Sequence, residues 1–328
     1  MLWLTWRQHR WPLLIATAVT AGMPIWMAVN AASLQQALDL CSGPNCTRAA
    51  AFDRTSRLGH GSTIANYQLN TVVFLPVLLG LFLGVPVLAR EYEQRTLVLA
   101  WSQDISPLRW LTGKLLVLGG AVTLLAAALA AESQHVAALV RLADRRSLFE
   151  GTVFQAGGRL PLTLAPAWLM FGVAAGAVLR RMVSAFAVVL GAFVGGIVLM
   201  AQWRPYFQAP LTATTSLRDQ TGAEPASGAA VPNTLSLDNG QGASVDSAGH
   251  IHPFHEVMGQ WCGTIPDDKP GAFLSCLQQH DLVGIQQRFQ PAGRLGTFHL
   301  IENGLNLTLL VLSLAITWWC VCRARTTT

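Results

Sequence analysis

The chain predicts an all-α, polytopic membrane protein: six transmembrane helices, an N-terminal interfacial helix and one large extracytoplasmic segment. Three observations carry this. Charged residues make up 12% and hydrophobic residues 52% of the 328, against about 25% charged in soluble proteins, and the mean hydropathy is +0.41. The apolar residues lie in solid blocks of about 20, the length a helix needs to cross about 30 Å of hydrocarbon. Such runs do not fit the alternating strands of about 10 residues of a membrane barrel, and lipid leaves no other backbone satisfied.

Residues 1–12, MLWLTWRQHRWP, are too short and too basic to cross. Trp3, Trp6, Arg7, Arg10 and Trp11 suit a helix lying in the inner headgroup layer, with indoles at the boundary and guanidiniums toward phosphate. A charged flank that merely orients the next helix fits equally. The first crossing is expected over residues 13–32. Val29-Asn30-Ala31 resembles a signal-peptidase site, but the run exceeds the usual h-region of about 7–15 residues and Pro24 interrupts it, so a retained helix is expected.

The second crossing, 69–89, is bracketed by Pro76 and Pro86, which should kink it. Crossings three to five fall at 112–131, 160–179 and 182–202, so that residues 13–200 hold the first five. The sixth is 301–322, followed by a tail at 323–328. Gly80 with Gly84, Gly172 with Gly176 and Gly191 with Gly195 each match the small-xxx-small spacing of closely packed membrane helices.

Basic residues in the short connections set the orientation. With the N-terminus inside, Arg7, Arg10, Arg90, Arg95, Arg109, Lys114, Arg180, Arg181, Arg323 and Arg325 are cytoplasmic. Arg48, Arg54, Arg57, Arg141, Arg145, Arg146 and Arg159 are outside, mostly farther from helix ends. Both termini are then cytoplasmic, in the cell membrane. Cys41, Cys46, Cys262 and Cys276 fall outside, where disulfides persist, and Cys320 and Cys322 fall inside. Two disulfides are expected, Cys41–Cys46 and Cys262–Cys276; CGTIPDDKPGAFLSC carries two prolines and two glycines that let the chain turn back.

Between crossings two and three, the cytoplasmic segment 90–112 holds far more charge and indole than a plain turn needs. Glu91 and Arg95 are spaced for an i,i+4 helix pair. Ser106-Pro107 reads as an N-cap followed by proline at the first helical position. Leu97, Leu99 and Trp101 lie beside Glu93, Arg95 and Asp104. A solvated charged turn is the plain interpretation; apolar anchors among mixed charges favour a docking surface.

Residues 203–299 form the extracytoplasmic loop or cap. The stretch TGAEPASGAAVPNTLSLDNGQGASVDSAGH has few apolar residues and is expected to be mobile. Phe254, Trp261, Phe273 and Leu277 are expected to core a small folded cap. His250, His252 and His255 near Glu256 and Cys262 form a loose potential zinc or copper set, which competes with the disulfide for Cys262. Glu302, Asn303 and Asn306 begin the last crossing; Glu302 there suits a helix dipole, with a pathway contact as the alternative for Glu302 and Asn306.

No G-x-x-x-x-G-K-[ST] phosphate loop occurs, since Gly113-Lys114 is followed by Leu115 and lacks the upstream glycine. If ATP drives this protein, another chain binds it.

Several stretches resemble the permeases of ABC-2-type transporters, in particular a group with separately encoded ATPases. WLTWRQHR resembles their opening, and VLAREYEQRTLVLAWSQDISPLRWLTGKL their segment after the second crossing. GVAAGAVLRRMVSAFAVVLGAFVGG and WRPYFQAP resemble the fourth and fifth crossings, and RFQPAGRLGTFHLIENGLNL the approach to the sixth. Related sequences tend to have glycine where this chain has Arg95. The resemblance implies a six-helix half-transporter whose segment 90–112 is a coupling helix docking into an ATP-binding cassette subunit, with Glu91, Glu93, Arg95 and Trp101 as the docking residues. It implies no catalysis and no cofactor on this chain. ATP and Mg would sit on two partner ATPases, alongside a second permease chain in a homodimer within the lipid bilayer, with no nucleic-acid partner. Two other classes stay open: a membrane sensor with a ligand-binding outside segment, and, ranked last, a membrane metallohydrolase using the histidines.

Overall fold

A computed structural model describes residues 2–40, 48–94, 107–144, 147–216, 235–237, 242–262 and 272–326. It is dominated by helices, as expected for an all-α membrane protein. The helices are α1 (Leu2–Asp39), α2 (Arg48–Leu79), α3 (Ala89–Glu93), α4 (Pro107–Asp144), α5 (Gly151–Ala156), α6 (Leu160–Leu179), α7 (Met182–Trp203), α8 (Ala272–Gln279) and α9 (Leu295–Thr326). Among the described residues five segments are long and apolar enough to span a membrane: Asp53–Glu93, Arg109–Ala143, Leu160–Leu179, Met182–Tyr206 and Ala292–Arg323. The first expected crossing lies in α1, which is unbroken from Leu2 and so takes in residues 2–12 of the stretch expected to lie in the interface.

Several helices outrun their apolar blocks. α2 begins at Arg48 and α4 continues to Asp144, through the Ala-rich AESQHVAALVRLAD. Alanine, leucine, glutamate and arginine hold a helix in water as well as in lipid, so the hydropathy boundary is not the helix boundary.

The described chain divides into two compact units. In the first (Met1–Arg146, Glu150–Met200, Gly296–Thr328), α1, α2, α4 and α6 share one apolar core through Met27, Leu34, Leu69, Leu118, Val136, Leu169 and Val173. A second core joins Val77 and Val85 to Trp168 of α6 and to Ala185, Val189 and Phe193 of α7. Trp168 meets Phe193 edge-on at 5.3 Å, a favoured aromatic geometry. Much of the surface of α7 and α9 is apolar and open, including Val183, Val194, Val311 and Trp319.

Where a kink was expected in the second crossing, the helix changes type. After α2 the ladder widens into a π turn over Gly80–Gly84, then tightens to 3-10 over Val85–Val87. Pro86 has no N–H to give an α ladder, and glycines let α6 come close. A Cβ on Gly80 would lie 2.6 Å from the Trp168 carbonyl oxygen, and one on Gly176 would lie 2.7 Å from that of Val85. The small-xxx-small pairs 80/84 and 172/176 therefore mate with each other. Gly191 and Gly195 instead have nothing within 4 Å.

The second unit (Ser147–Phe149, Ala201–Leu295) centres on an antiparallel sheet. Its long strand β5 (Leu282–Gln290) pairs with β1 (Leu211–Ser216), β2 (Leu235–Ser236) and β3 (Ala243–Asp246), and β3 pairs with β4 (Ile251–His252). β2 and β3 fall in the stretch expected to be mobile; these short strands pair through backbone bonds and need no apolar alternation. Residues 221–234 and 238–241 of that stretch lie outside the described residues. Val257, Cys262, Cys276, Leu277 and Leu282 form a small core with Trp261 and Ile285 packed on it. The Cys262–Cys276 disulfide is formed, with Cα atoms 6.0 Å apart. The fully buried Gln290 donates to the carbonyls of Pro205 (2.9 Å) and Gln208 (2.7 Å), which ties the two ends of the unit together.

Candidate functional site

The residues singled out after the second crossing start at α3, AREYE, which follows the 3-10 turn directly. Its alanine and first glutamate turn inward. The Glu91 carboxylate pairs with the ammonium of Lys114 in α4, and Lys114 is only 1% exposed. Lys114 also lies over the Trp110 ring at 4.1 Å. A lysine this deep needs a partner, because removing one member of a buried pair leaves an uncompensated charge. The other Glu91 oxygen, Oε2, and the Tyr92 hydroxyl are buried without a hydrogen-bond partner among the described residues.

Glu93 is exposed, and its Oε1 accepts the Met182 N–H at 2.8 Å. Met182 opens α7, so this carboxylate meets the positive end of a helix dipole. Between α6 and α7, Arg180 adopts φ 55°, and its N–H caps α6 on the Gly176 carbonyl. The same Arg180 lays its guanidinium over the Tyr92 ring at 5.1 Å. Three consecutive residues, Glu91, Tyr92 and Glu93, thus reach α4, the α6–α7 turn and the start of α7.

Of the four expected docking residues, Glu91 and Glu93 are engaged within the chain, and Arg95 and Trp101 lie outside the described residues. Sequence reasoning passed over Lys114, counted only as a cytoplasmic charge. A lysine at the start of one apolar block, two turns into the helix that Ser106-Pro107 opens, with a glutamate just past the preceding block, was the available signal.

A second polar cluster lies at the far end of α6. The His299 ring N–H donates to the Phe154 carbonyl at 3.1 Å, and the two rings sit 4.4 Å apart. Gly158, at φ 58°, makes room for that imidazole. Asn303 Nδ2 donates to the carbonyls of Gly158 and His299, both at 2.8 Å. The Thr163 hydroxyl donates to Asn303 Oδ1 at 2.6 Å and accepts from Asn306 Nδ2 at 3.2 Å. Asn306, expected as a cap or pathway residue, is therefore a rung between α6 and α9. The cap role of Glu302 is corrected: α9 starts at Leu295, which puts Glu302 about two turns in, beyond the reach of the N-terminal dipole. Glu302 is 9% exposed.

In the second unit Asp246 gathers the histidines. Its Oδ1 accepts the N–H groups of Ala248 (2.9 Å) and His250 (2.8 Å), and its Oδ2 faces His250 Nδ1 (3.0 Å) and His252 Nε2 (3.4 Å). Burial opposes ionisation, but these hydrogen bonds and the nearby imidazole charge outweigh it and hold Asp246 down at about 2. His252 also lies 3.9 Å from Glu256, Trp261 stacks on His280, and Cys262 is in its disulfide. No three His, Cys, Asp or Glu among the described residues converge as a metal-holding group. Cys41 and Cys46 lie outside the described residues.

Residues 14–204, well over half the chain, match the model of the family described as ABC-2 membrane transporter related. The chain belongs to that family. The match runs from α1 through α7 and takes in the α3 joint. It stops short of the sheet strands and of α9, where RFQPAGRLGTFHLIENGLNL carried the resemblance in sequence. No curated protein and no solved structure matches this family member. It is a membrane protein and a component of a membrane transporter.

Proposed function

We propose that the chain is the permease subunit of an ATP-driven exporter in the cell membrane, with both termini cytoplasmic. A homodimer of this chain works with two ATP-binding cassette ATPases, which hold ATP and Mg. Segment 90–112 is the coupling element that the ATPases push, and it passes their closure to the crossings. The observation that carries this reading is the α3 joint: a charged segment directly continuous with one crossing and bonded to the starts of two others, inside the family-matched region. Since Glu91 and Glu93 are engaged within the chain, docking falls chiefly to Arg95 and Trp101. The open glycine face of α7 is the surface for the second copy.

Co-purification tests it. The tagged chain, expressed with an ATP-binding cassette ATPase from the same cell, should retain that protein and stimulate its ATP hydrolysis. Arg95→Glu or Trp101→Ala should weaken retention while the permease still inserts. Undiminished stimulation in Glu93→Lys with Arg95→Glu overturns the docking assignment.

A further inference from the structure

We infer that Glu91, Tyr92 and Glu93, with Lys114, Arg180 and Met182, form a mechanical clasp that makes α3 a single lever on three crossings. The inference rests on the proposed coupling role and adds the residues that transmit the push. α3 spans only five residues, a little over one helical turn, yet each of its last three side chains engages a different element. Glu91 holds α4 through Lys114, Tyr92 holds the α6–α7 turn beneath Arg180, and Glu93 holds the first N–H of α7.

The three contacts are chemically unequal. The Glu91–Lys114 pair is shielded from water: Lys114 is among the largest fully buried side chains described, and an ion pair there is screened far less than one on the surface. The Glu93 and Arg180 contacts are exposed and yield more readily. The buried pair is therefore the pivot, and the two exposed contacts are where motion is handed on. Directly before α3, the π and 3-10 turns replace the α ladder, so α3 is free to tilt against α2 without stretching a regular helix. Hinge on one side and clasp on the other route a displacement of α3 into α4 and α7. Lys114, Tyr92 and Arg180 act here as positioning residues.

Amide hydrogen exchange on the full-length chain in lipid nanodiscs, with no ATPase present, reads the clasp directly. Glu93→Gln weakens the bond to Met182 and marks the exchange expected there on direct loss. The near-isosteric pair Glu91→Gln with Lys114→Met removes both buried charges together and touches nothing at Met182. If α3 is one lever, this pair raises exchange at the Met182 amide by about tenfold, through loosening of a linked unit. The swap Glu91→Lys with Lys114→Glu brings it back toward wild type. Unchanged exchange at Met182 in the double variant, beside a rise in Glu93→Gln, overturns the inference. Should the double variant misfold, Arg180→Gln replaces it: this exposed change should raise exchange at both 89–93 and Met182, and a rise at only one refutes the lever. A chain that passes these tests but binds no ATPase would leave the clasp standing and defeat the proposed function.

Discussion

The α-carbon of Gly176 stands so near Val85 that even a methyl group would crowd it, with the carbonyl oxygen 2.7 Å from where a Cβ would be. Backbone meets backbone there, and α6 runs against the broken stretch of the second crossing without side chains between. In lipid, where helices gain little from excluding water, such close approach is a main source of association.

Gly176→Val, and likewise Gly172→Val, should therefore destabilise the bundle by about 1–3 kcal/mol, the usual cost of overpacking. Gly120→Val on α4, which meets open space away from the proposed dimer face, should leave the thermal midpoint of the detergent-solubilised chain unchanged. Equal effects at positions 176 and 120 would refute the packing assignment.

Asn303→Leu should cost about 1–3 kcal/mol, because it strips the Gly158 carbonyl of its donor and leaves the Thr163 hydroxyl to find another acceptor. Loss of the far-end network should show as faster proteolysis at residues 157–159. Unaltered cleavage would mean that the α5–α6 turn is held by other contacts.

The disulfide can be removed by Cys276→Ser. Closing a loop with a sequence separation of 14 contributes about 3 kcal/mol in the chain-entropy model. Mass spectrometry of the non-reduced wild type should find Cys262 joined to Cys276, and the variant should lose protection across 254–290. A free Cys276 in the wild type contradicts the pairing.

Asp246 gives the sheet unit an acid-sensitive contact. Its folded value of about 2 lies below the ordinary 3.8, so the contribution is fully present above 3.8 and is lost as pH falls from there through about 2. Proteolysis of the sheet unit should accelerate over that interval in wild type. Asp246→Asn should be more susceptible already at neutral pH and should lose the acid step.

The topology is tested with engineered cysteines. A membrane-impermeant thiol reagent should reach position 227 from outside intact cells and position 102 only after lysis. A cysteine at Gly195 should cross-link two copies of the chain if α7 is the dimer face. The reverse labelling would invert the orientation; absence of cross-linking would move the dimer surface elsewhere.

Crossings were legible because run length is a one-dimensional property that lipid imposes on the chain. Contacts between helices were not. Glu91 and Lys114 are 23 positions apart, and only folding brings them together; hydropathy assigned one to a loop and the other to the first residues of the third crossing. The start of α9 was missed for a related reason: Leu295–Leu300 is helical before the apolar block begins, which carried Glu302 away from the helix end. The two glycine pairs at 80/84 and 172/176 were readable as packing signals, but nothing in their spacing said that they would face each other. β2 and β3 were masked by composition, since a strand two to four residues long needs only backbone partners.

The π turn at Gly80–Gly84 also has an angular meaning. An α-helix advances about 100° per residue, and the wider turn accommodates one residue more than a regular turn would. The π turn absorbs that residue, so α3 keeps nearly the azimuth that a plain α-helix one residue shorter would give it. Deleting one residue between 80 and 84 would therefore leave AREYE close to its present facing, whereas deleting one from Val85–Val87 with the π turn kept would swing it round by about 120°, one step of a 3-10 turn, so that Glu91 no longer faced Lys114 and Tyr92 left Arg180. The length of Val85–Val87 is thus under tighter constraint than most of its side chains: a substitution there alters packing, whereas an indel turns the lever to face the wrong helices.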